Sequence, residues 1–133
     1  MGSTTRAGSR RTVIIGLAGV LSVVLVVATG NSAQAVTSTY TPVAGSPFPA
    51  GANPAGVAVN QVTNTVYVTN YGSDTLAVLD GGTNMPVSGS PFLTGGFNPN
   101  AVAVNSVTNQ IYIPNGISAD LSVFQELVSP GIT

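Results

Sequence analysis

The chain has 133 residues, of which three are Lys or Arg and four are Asp or Glu, and it contains no Cys, His or Trp. No disulfide framework is available, nor a tetrahedral zinc site of the usual Cys/His kind. Ser-His-Asp and Cys-His nucleophilic schemes lack their base.

All three basic residues, Arg6, Arg10 and Arg11, fall near the start of the chain. An apolar run follows from Val13 to about Ala28, and a polar stretch then ends in Ala33-Gln34-Ala35. A basic segment, an apolar segment and a small-residue A-x-A site in this order predict a secretory signal peptide over 1–35, with an apolar helix and cleavage after Ala35. The competing reading is an uncleaved anchor, since the run approaches the roughly 18 residues that span a bilayer. Ser9-Arg10-Arg11-Thr12-Val13-Ile14 also resembles a twin-arginine export signal, although Val13 stands where that pattern usually has Phe. Ordinary Sec export is the expectation.

Removal of 1–35 leaves 98 residues without Lys or Arg, carrying Asp74, Asp80, Asp120 and Glu126 for a net charge of −4. Nucleic-acid binding draws on cationic side chains that displace counterions from phosphates, and anionic membrane surfaces make the same demand. Segment 36–133 offers neither. Its nine prolines and eleven glycines argue against long helices and for short strands.

Those strands come in chain order. A short segment about 40–44 reads as a lone outer strand. Val57-Ala58-Val59 is a brief apolar run, and Thr65-Val66-Tyr67-Val68-Thr69 alternates with β-branched and aromatic residues suited to a pleated surface. Leu76–Leu79 forms a third strand, and a weaker fourth lies around Met85–Ser88. Turn residues separate them at 60–64, 71–74 and 80–84. In the second half Asn115-Gly116 is a tight-turn dipeptide, and Pro114 sits at the end of its strand, where a missing N–H is tolerated. Residues 127–133 could add one more outer strand.

The halves are copies. Asn53-Pro54-Ala55-Gly56-Val57-Ala58-Val59-Asn60 recurs as Asn98-Pro99-Asn100-Ala101-Val102-Ala103-Val104-Asn105, and across 53–80 against 98–125 the halves agree at 14 of 28 positions without a gap. Upstream, Pro42–Phe48 pairs with Pro86–Phe92 at an offset of 44 rather than 45, which places one inserted residue near Gly95-Gly96. The repeats run about 45–88 and 89–133.

Four short antiparallel strands in about 45 residues is the content of one β-propeller blade. Val66-Tyr67-Val68-Thr69-Asn70, after Asn53-Pro54 and Val57–Asn60, resembles the YVTN β-propeller repeat; the second copy departs from it as Ile111-Tyr112-Ile113-Pro114-Asn115. The Gly-Ser-Pro-Phe blocks are similar to those of lactonase-type seven-bladed propellers. The resemblance covers about 42–125 and implies an all-β, two-blade propeller segment with Val57, Val59, Val102 and Val104 near a central channel. Since propellers close with about four to eight blades, three outcomes stay open: self-association into a complete ring, a remnant of a longer propeller, or a marginal two-blade domain.

Candidate chemistry is sparse. Asp74, Asp80 and Asp120 sit in turns or at strand ends, where Asp caps nearby N–H groups. Glu126 and Asp80 form no convincing acid/base pair, because Asp80 aligns with Gln125. Tyr67 and Tyr112 hold equivalent strand positions and read as packed residues. Ser46 and Ser90 lack a G-x-S-x-G elbow, and Gly51–Gly56 lacks the Lys of a phosphate loop. Asn60, Asn64 and Asn70, with Asn105, Asn109 and Asn115, track the repeat and suggest left-handed turn residues. No catalytic, cofactor or metal residues are assigned. The expected function is an exported, non-catalytic binding module for an unknown protein or glycan; the alternative is a lactonase-like hydrolase, as the resemblance implies.

Overall fold

A computed structural model of the chain describes residues 21–26 and 35–129, and within them every regular element is a strand. The chain divides into two compact units, 1–47 and 48–133. In the first, β1 (Leu21–Val26) pairs antiparallel with β2 (Ala35–Tyr40), with Leu21 opposite Tyr40 and Val26 opposite Ala35. The helix expected for the apolar run is therefore not what its described part forms. That stretch is dense in β-branched Val, which suits a paired strand. The arginines and the rest of the expected signal, apart from Ala35, lie outside the described residues. The lone outer strand expected at about 40–44 is also absent. Strand β2 ends at Tyr40, and a turn with Ser46 N donating to Val43 O (3.0 Å) follows among prolines and Gly45.

The second unit holds two antiparallel sheets. The first is β3 (Pro54–Asn60), β4 (Thr65–Asn70), β5 (Thr75–Asp80) and β6 (Phe92–Leu93), in that order; the second is β7 (Ala103–Asn105), β8 (Gln110–Asn115) and β9 (Asp120–Gln125). The duplication reaches the backbone. Ala58 faces Tyr67 as Ala103 faces Tyr112, and Asn70 faces Thr75 as Asn115 faces Asp120. Ser46-Pro47 and Ser90-Pro91 are both cis.

Four hairpin connections (61–64, 71–74, 106–109 and 116–119) and the turn 81–84 that follows β5 share one design, four residues whose last has positive φ: Asn64, Asp74, Asn109 and Ala119 in the hairpins and Asn84 in the turn. Asn and Asp tolerate that region because a short polar side chain can bond the local backbone, whereas Ala cannot. Asn115-Gly116 is thus not a two-residue turn: Asn115 ends β8 and Ala119 takes the left-handed position, at φ 57°. Ala119→Asn is expected to stabilise the protein by about 0.5–1 kcal/mol, read as a rise of a few degrees in Tm.

The two sheets differ at their margins for identifiable reasons. Strand β3 has seven residues and β7 only three. Pro114 replaces Thr69 at the equivalent place, and its carbonyl accepts from Asn100 N (3.4 Å), so the N–H it lacks would have faced β7. The ladder stops there. Along β5 the expected fourth strand is broken into pieces. Asp80 N donates to Met85 O (2.9 Å) and Val87 N to Val78 O (3.0 Å); then the Ser90 hydroxyl takes the Val78 N–H (2.8 Å), and pairing resumes only at Phe92–Leu93. Pro86 and Pro91 deny this edge the donors of a continuous strand. Beyond β9, residues 126–129 are irregular rather than an outer strand, and 130–133 lie outside the described residues.

The core sits between the sheets. Tyr67 and Leu76 of the first meet Ile111 and Ile113 of the second, with Val78, Val102, Val104 and Phe124 packed around them. Register fixes which faces these are. Directly opposed residues share a face, so Ala58, Tyr67, Leu76 and Val78 define one face of the first sheet, and Val57, Val59, Val66, Val68 and Leu79 the other. In the second sheet Val102, Val104, Ile111, Ile113 and Phe124 match the Val57 set at an offset of 45. The tyrosine face of one repeat therefore packs on the valine face of the next. Gly56 lets the sheets approach: a Cβ there would lie 3.0 Å from Ala101 Cα. Val102 and Val104 are packed into this seam, whereas Val57 and Val59 remain 67% and 50% exposed.

Candidate functional site: the seam between the sheets

The seam ends in one carboxylate. Glu126 follows β9 directly, and its backbone N–H donates to Asn109 O (2.9 Å). Its side chain crosses to the first sheet. Oε2 accepts from Asn60 Nδ2 (2.9 Å) and the Thr63 hydroxyl (3.0 Å), and Oε1 accepts from the Thr65 hydroxyl (2.8 Å). Asn60 Nδ2 also donates to Asn109 Oδ1 (3.0 Å), while Asn60 Oδ1 accepts from Val62 N (3.1 Å) and so holds its own turn. Partial burial disfavours the charged form of Glu126, but the Tyr67, Thr65, Thr63 and Asn60 groups gathered around it outweigh burial and hold it below the usual carboxylate range.

Tyr67 is the cost of this arrangement. Its hydroxyl is buried close to the Glu126 carboxylate but makes no well-formed hydrogen bond among the described residues. Burial first, and then the neighbouring Glu126 carboxylate, push its ionisation far above the ordinary phenol range. Its counterpart Tyr112 is satisfied locally, donating to Gln110 Oε1 (2.7 Å). Removing an orphaned buried hydroxyl restores nothing to solvent and relieves a desolvation penalty. Tyr67→Phe is expected to be neutral or stabilising by up to about 1 kcal/mol at neutral pH. It should also abolish any loss of stability above pH 10.0, where the unfolded phenol ionises and the folded one resists. Thermal unfolding followed from neutral to alkaline pH checks both.

Beside the carboxylate, an apolar cleft of about 290 Å³ runs along the seam, lined chiefly by Tyr67, Leu76, Val78, Phe92, Ile111 and Phe124. Its polar end carries Thr65, Gln125 and Glu126. The cleft can take an apolar group, but Glu126 is already engaged through both oxygens and poorly disposed to act as a base.

The other candidate residues are placed elsewhere. Asp80 caps its own turn: Oδ1 accepts from Thr83 N (2.8 Å), Thr83 Oγ1 (3.1 Å) and Gly82 N (2.9 Å), and these bonds, the Thr83 backbone foremost, lower its pKa. Asp120 Oδ1 accepts from Asn115 Nδ2 (2.7 Å) and Ser118 Oγ (3.0 Å). Asp74 reaches further, since its Oδ1 accepts from Asn98 N (2.7 Å) and its carbonyl from Thr94 N (3.0 Å), which ties the first sheet's hairpin to the start of the second repeat. Ser90 bonds β5, and Ser46 lies in the other unit. Of these asparagines Asn64 and Asn109 are left-handed, as are Asn53 and Asn98 earlier in each repeat. Asn60, Asn70 and Asn115 are strand ends with buried side chains, Asn60 bonding across the seam, Asn70 the Ala50 carbonyl and Asn115 its own hairpin at Asp120 and Ser122, and Asn105 ends β7.

Glu126 was the residue that sequence reasoning undervalued. Its signal is a break in the repeat: the chain's one Glu stands where the first copy has Gly81.

No family model matches the chain. A stretch of 36 residues is 58% identical to the PE-PGRS family protein PE_PGRS18 of Mycobacterium tuberculosis; it makes up 27% of this chain and 8% of that protein. The matched stretch thus spans less than a tenth of that protein's length.

Proposed function

We propose that the chain is an exported, non-catalytic interaction module whose two sheets are successive blades of the YVTN propeller type. The observation that carries this reading is the stacking of unlike faces of like repeats, tyrosine face on valine face, which is how a series of blades adds up around an axis. Such a series presents a further face at each end, and a surface of that kind is suited to binding. The N-terminal order of basic, apolar and small residues supports export through the Sec route. The chemistry supports a binding role over hydrolysis: the carboxylate at the seam is spent on three hydrogen bonds, Asp80 and Asp120 hold their turns, and Asp74 is bonded to Asn98 N at the start of the second repeat.

The lactonase-like alternative is tested directly. Protein expressed with its own N-terminus and recovered from outside the cell is expected to start at Val36 by mass, and to hydrolyse a panel of lactones no faster than a heat-inactivated control. Turnover above that control would overturn the non-catalytic reading, and retention of the whole chain in the cytoplasm would overturn export.

A further inference from the structure

We infer that the binding partner of the two open faces is a second copy of this chain, docked head to tail, with the tyrosine face of the second sheet in one copy seated on the valine face of the first sheet in the next. This rests on the interaction-module reading and names its partner.

The warrant is that the same interface already exists inside the chain. The buried tyrosine face of the first sheet is Ala58, Tyr67, Leu76 and Val78. At an offset of 45 the open face of the second is Ala103, Tyr112, Leu121 and Val123, residue for residue identical. Leu76 is 1% exposed, whereas Leu121 and Val123 are 56% and 51% exposed. The complementary set behaves alike. Val102, Val104, Ile111, Ile113 and Phe124 fill the seam, and their aliphatic counterparts are Val57 and Val59, 67% and 50% exposed, the half-buried Val66 and Val68, and Leu79, which the chain's own Pro49–Ala50 and Pro86 already adjoin, so the open part of that face is the β3 side. Neither set contains a charged residue, and segment 36–133 has no Lys or Arg with which to guard an exposed sheet. Two large apolar faces that already fit one another within the molecule form a heterologous interface, which closes into a ring or grows as a filament.

The polar rim is adapted to the same end. Within the chain the rim requires Glu126, because Thr65 and Asn60 look for an acceptor across the seam. A neighbouring copy would offer Gly81 at that place. The second sheet does not need the acceptor: Gln110 replaces Thr65, and its Oε1 accepts from both Tyr112 (2.7 Å) and the Thr108 hydroxyl (3.3 Å). Tyr112 would enter the contact with its hydroxyl already satisfied. Asn105 Oδ1 caps Val107 N (3.0 Å) as Asn60 Oδ1 caps Val62 N, leaving its amide to donate to Asn64 of the next copy as Asn60 donates to Asn109.

The exported protein is expected to show a native mass of about two to four chains, as four to eight blades require. The deciding experiment uses variants capped on one face. Leu121→Asp removes the tyrosine-face contact and Val57→Asp the valine-face contact, each at an exposed position. Each variant alone is expected to be monomeric. Their equimolar mixture is expected to form a dimer of one chain of each kind, because one unspoiled pair of unlike faces remains. Ala103→Arg with Val59→Arg provides an independent pair if either first variant fails to fold. A wild type that stays monomeric across about a hundredfold range of concentration overturns the proposal. So does a mixture that stays monomeric, or a single variant that dimerises with itself, which would mean like faces meet. Monomeric protein without lactone turnover would leave the non-catalytic reading in place.

Discussion

Glu126→Ala is expected to lower the stability of the two-sheet unit by about 1–3 kcal/mol, with Glu126→Gln intermediate. The carboxylate accepts three hydrogen bonds from the other sheet, and a bond to a charged group contributes about 1.5–3 kcal/mol when removal leaves its partner buried. That sum is discounted because Glu126 is half-exposed and water screens its charge. The partners left behind are not equally harmed. Asn60 is fully buried and keeps only Asn109 as acceptor for its amide, while Thr63 can turn its hydroxyl toward Thr65. Gln preserves the shape and one acceptor, so the difference between Gln and Ala separates packing from charge.

The pH dependence of the wild type tests the same latch without mutation. Folding holds the Glu126 pKa below its unfolded value near 4.5, so the folded state binds fewer protons than the unfolded one around that pH. The stabilisation is fully present above pH 4.5 and is lost as pH falls through the folded value. Denaturant titrations from neutral to acid pH are expected to show this loss in the wild type and a shallower one in Glu126→Gln. Asp80, lowered by its turn, adds to the acid slope in both. Equal slopes in the two proteins would show that the carboxylate does not hold the sheets together.

How far these features could be read from residue order depends on how local their causes are. Thr65–Thr69 and Leu76–Leu79 were legible as strands because alternation and β-branching act within a few residues, and the 45-residue duplication transferred each assignment to the second copy. The left-handed residue of each connection was legible where Asn64 and Asn109 stand but not at Ala119, because nothing about an alanine announces positive φ. The division of the fourth strand around Ser90 was hidden, since it turns on a hydroxyl replacing a backbone acceptor. Burial was the least legible feature. Tyr67 and Tyr112 hold equivalent strand positions, and it is a facing sheet that buries Tyr67. Glu126 was missed for the same reason: its partners at 60, 63 and 65 are distant in sequence and meet it only across the seam.

A pair of equivalent leucines turns that last point into a measurement. Leu76→Ala is expected to destabilise the protein by about 2–5 kcal/mol, since Leu76 is 1% exposed in the core and its deletion leaves a cavity beside Tyr67 and Ile113. Leu121→Ala makes the identical chemical change at the identical place in the repeat. In the Val57→Asp background, where head-to-tail contact is blocked, it is expected to alter stability by no more than about 0.5 kcal/mol, because the side chain is 56% exposed. In the wild-type background the same substitution should weaken self-association at least about tenfold, the consequence of removing a buried leucine from an interface. The asymmetry arises from what faces each residue, not from the residue itself. If Leu121→Ala destabilised the capped chain as much as Leu76→Ala, the second sheet's tyrosine face would have to be covered from within the chain, and the docking of a second copy would have no surface left to use.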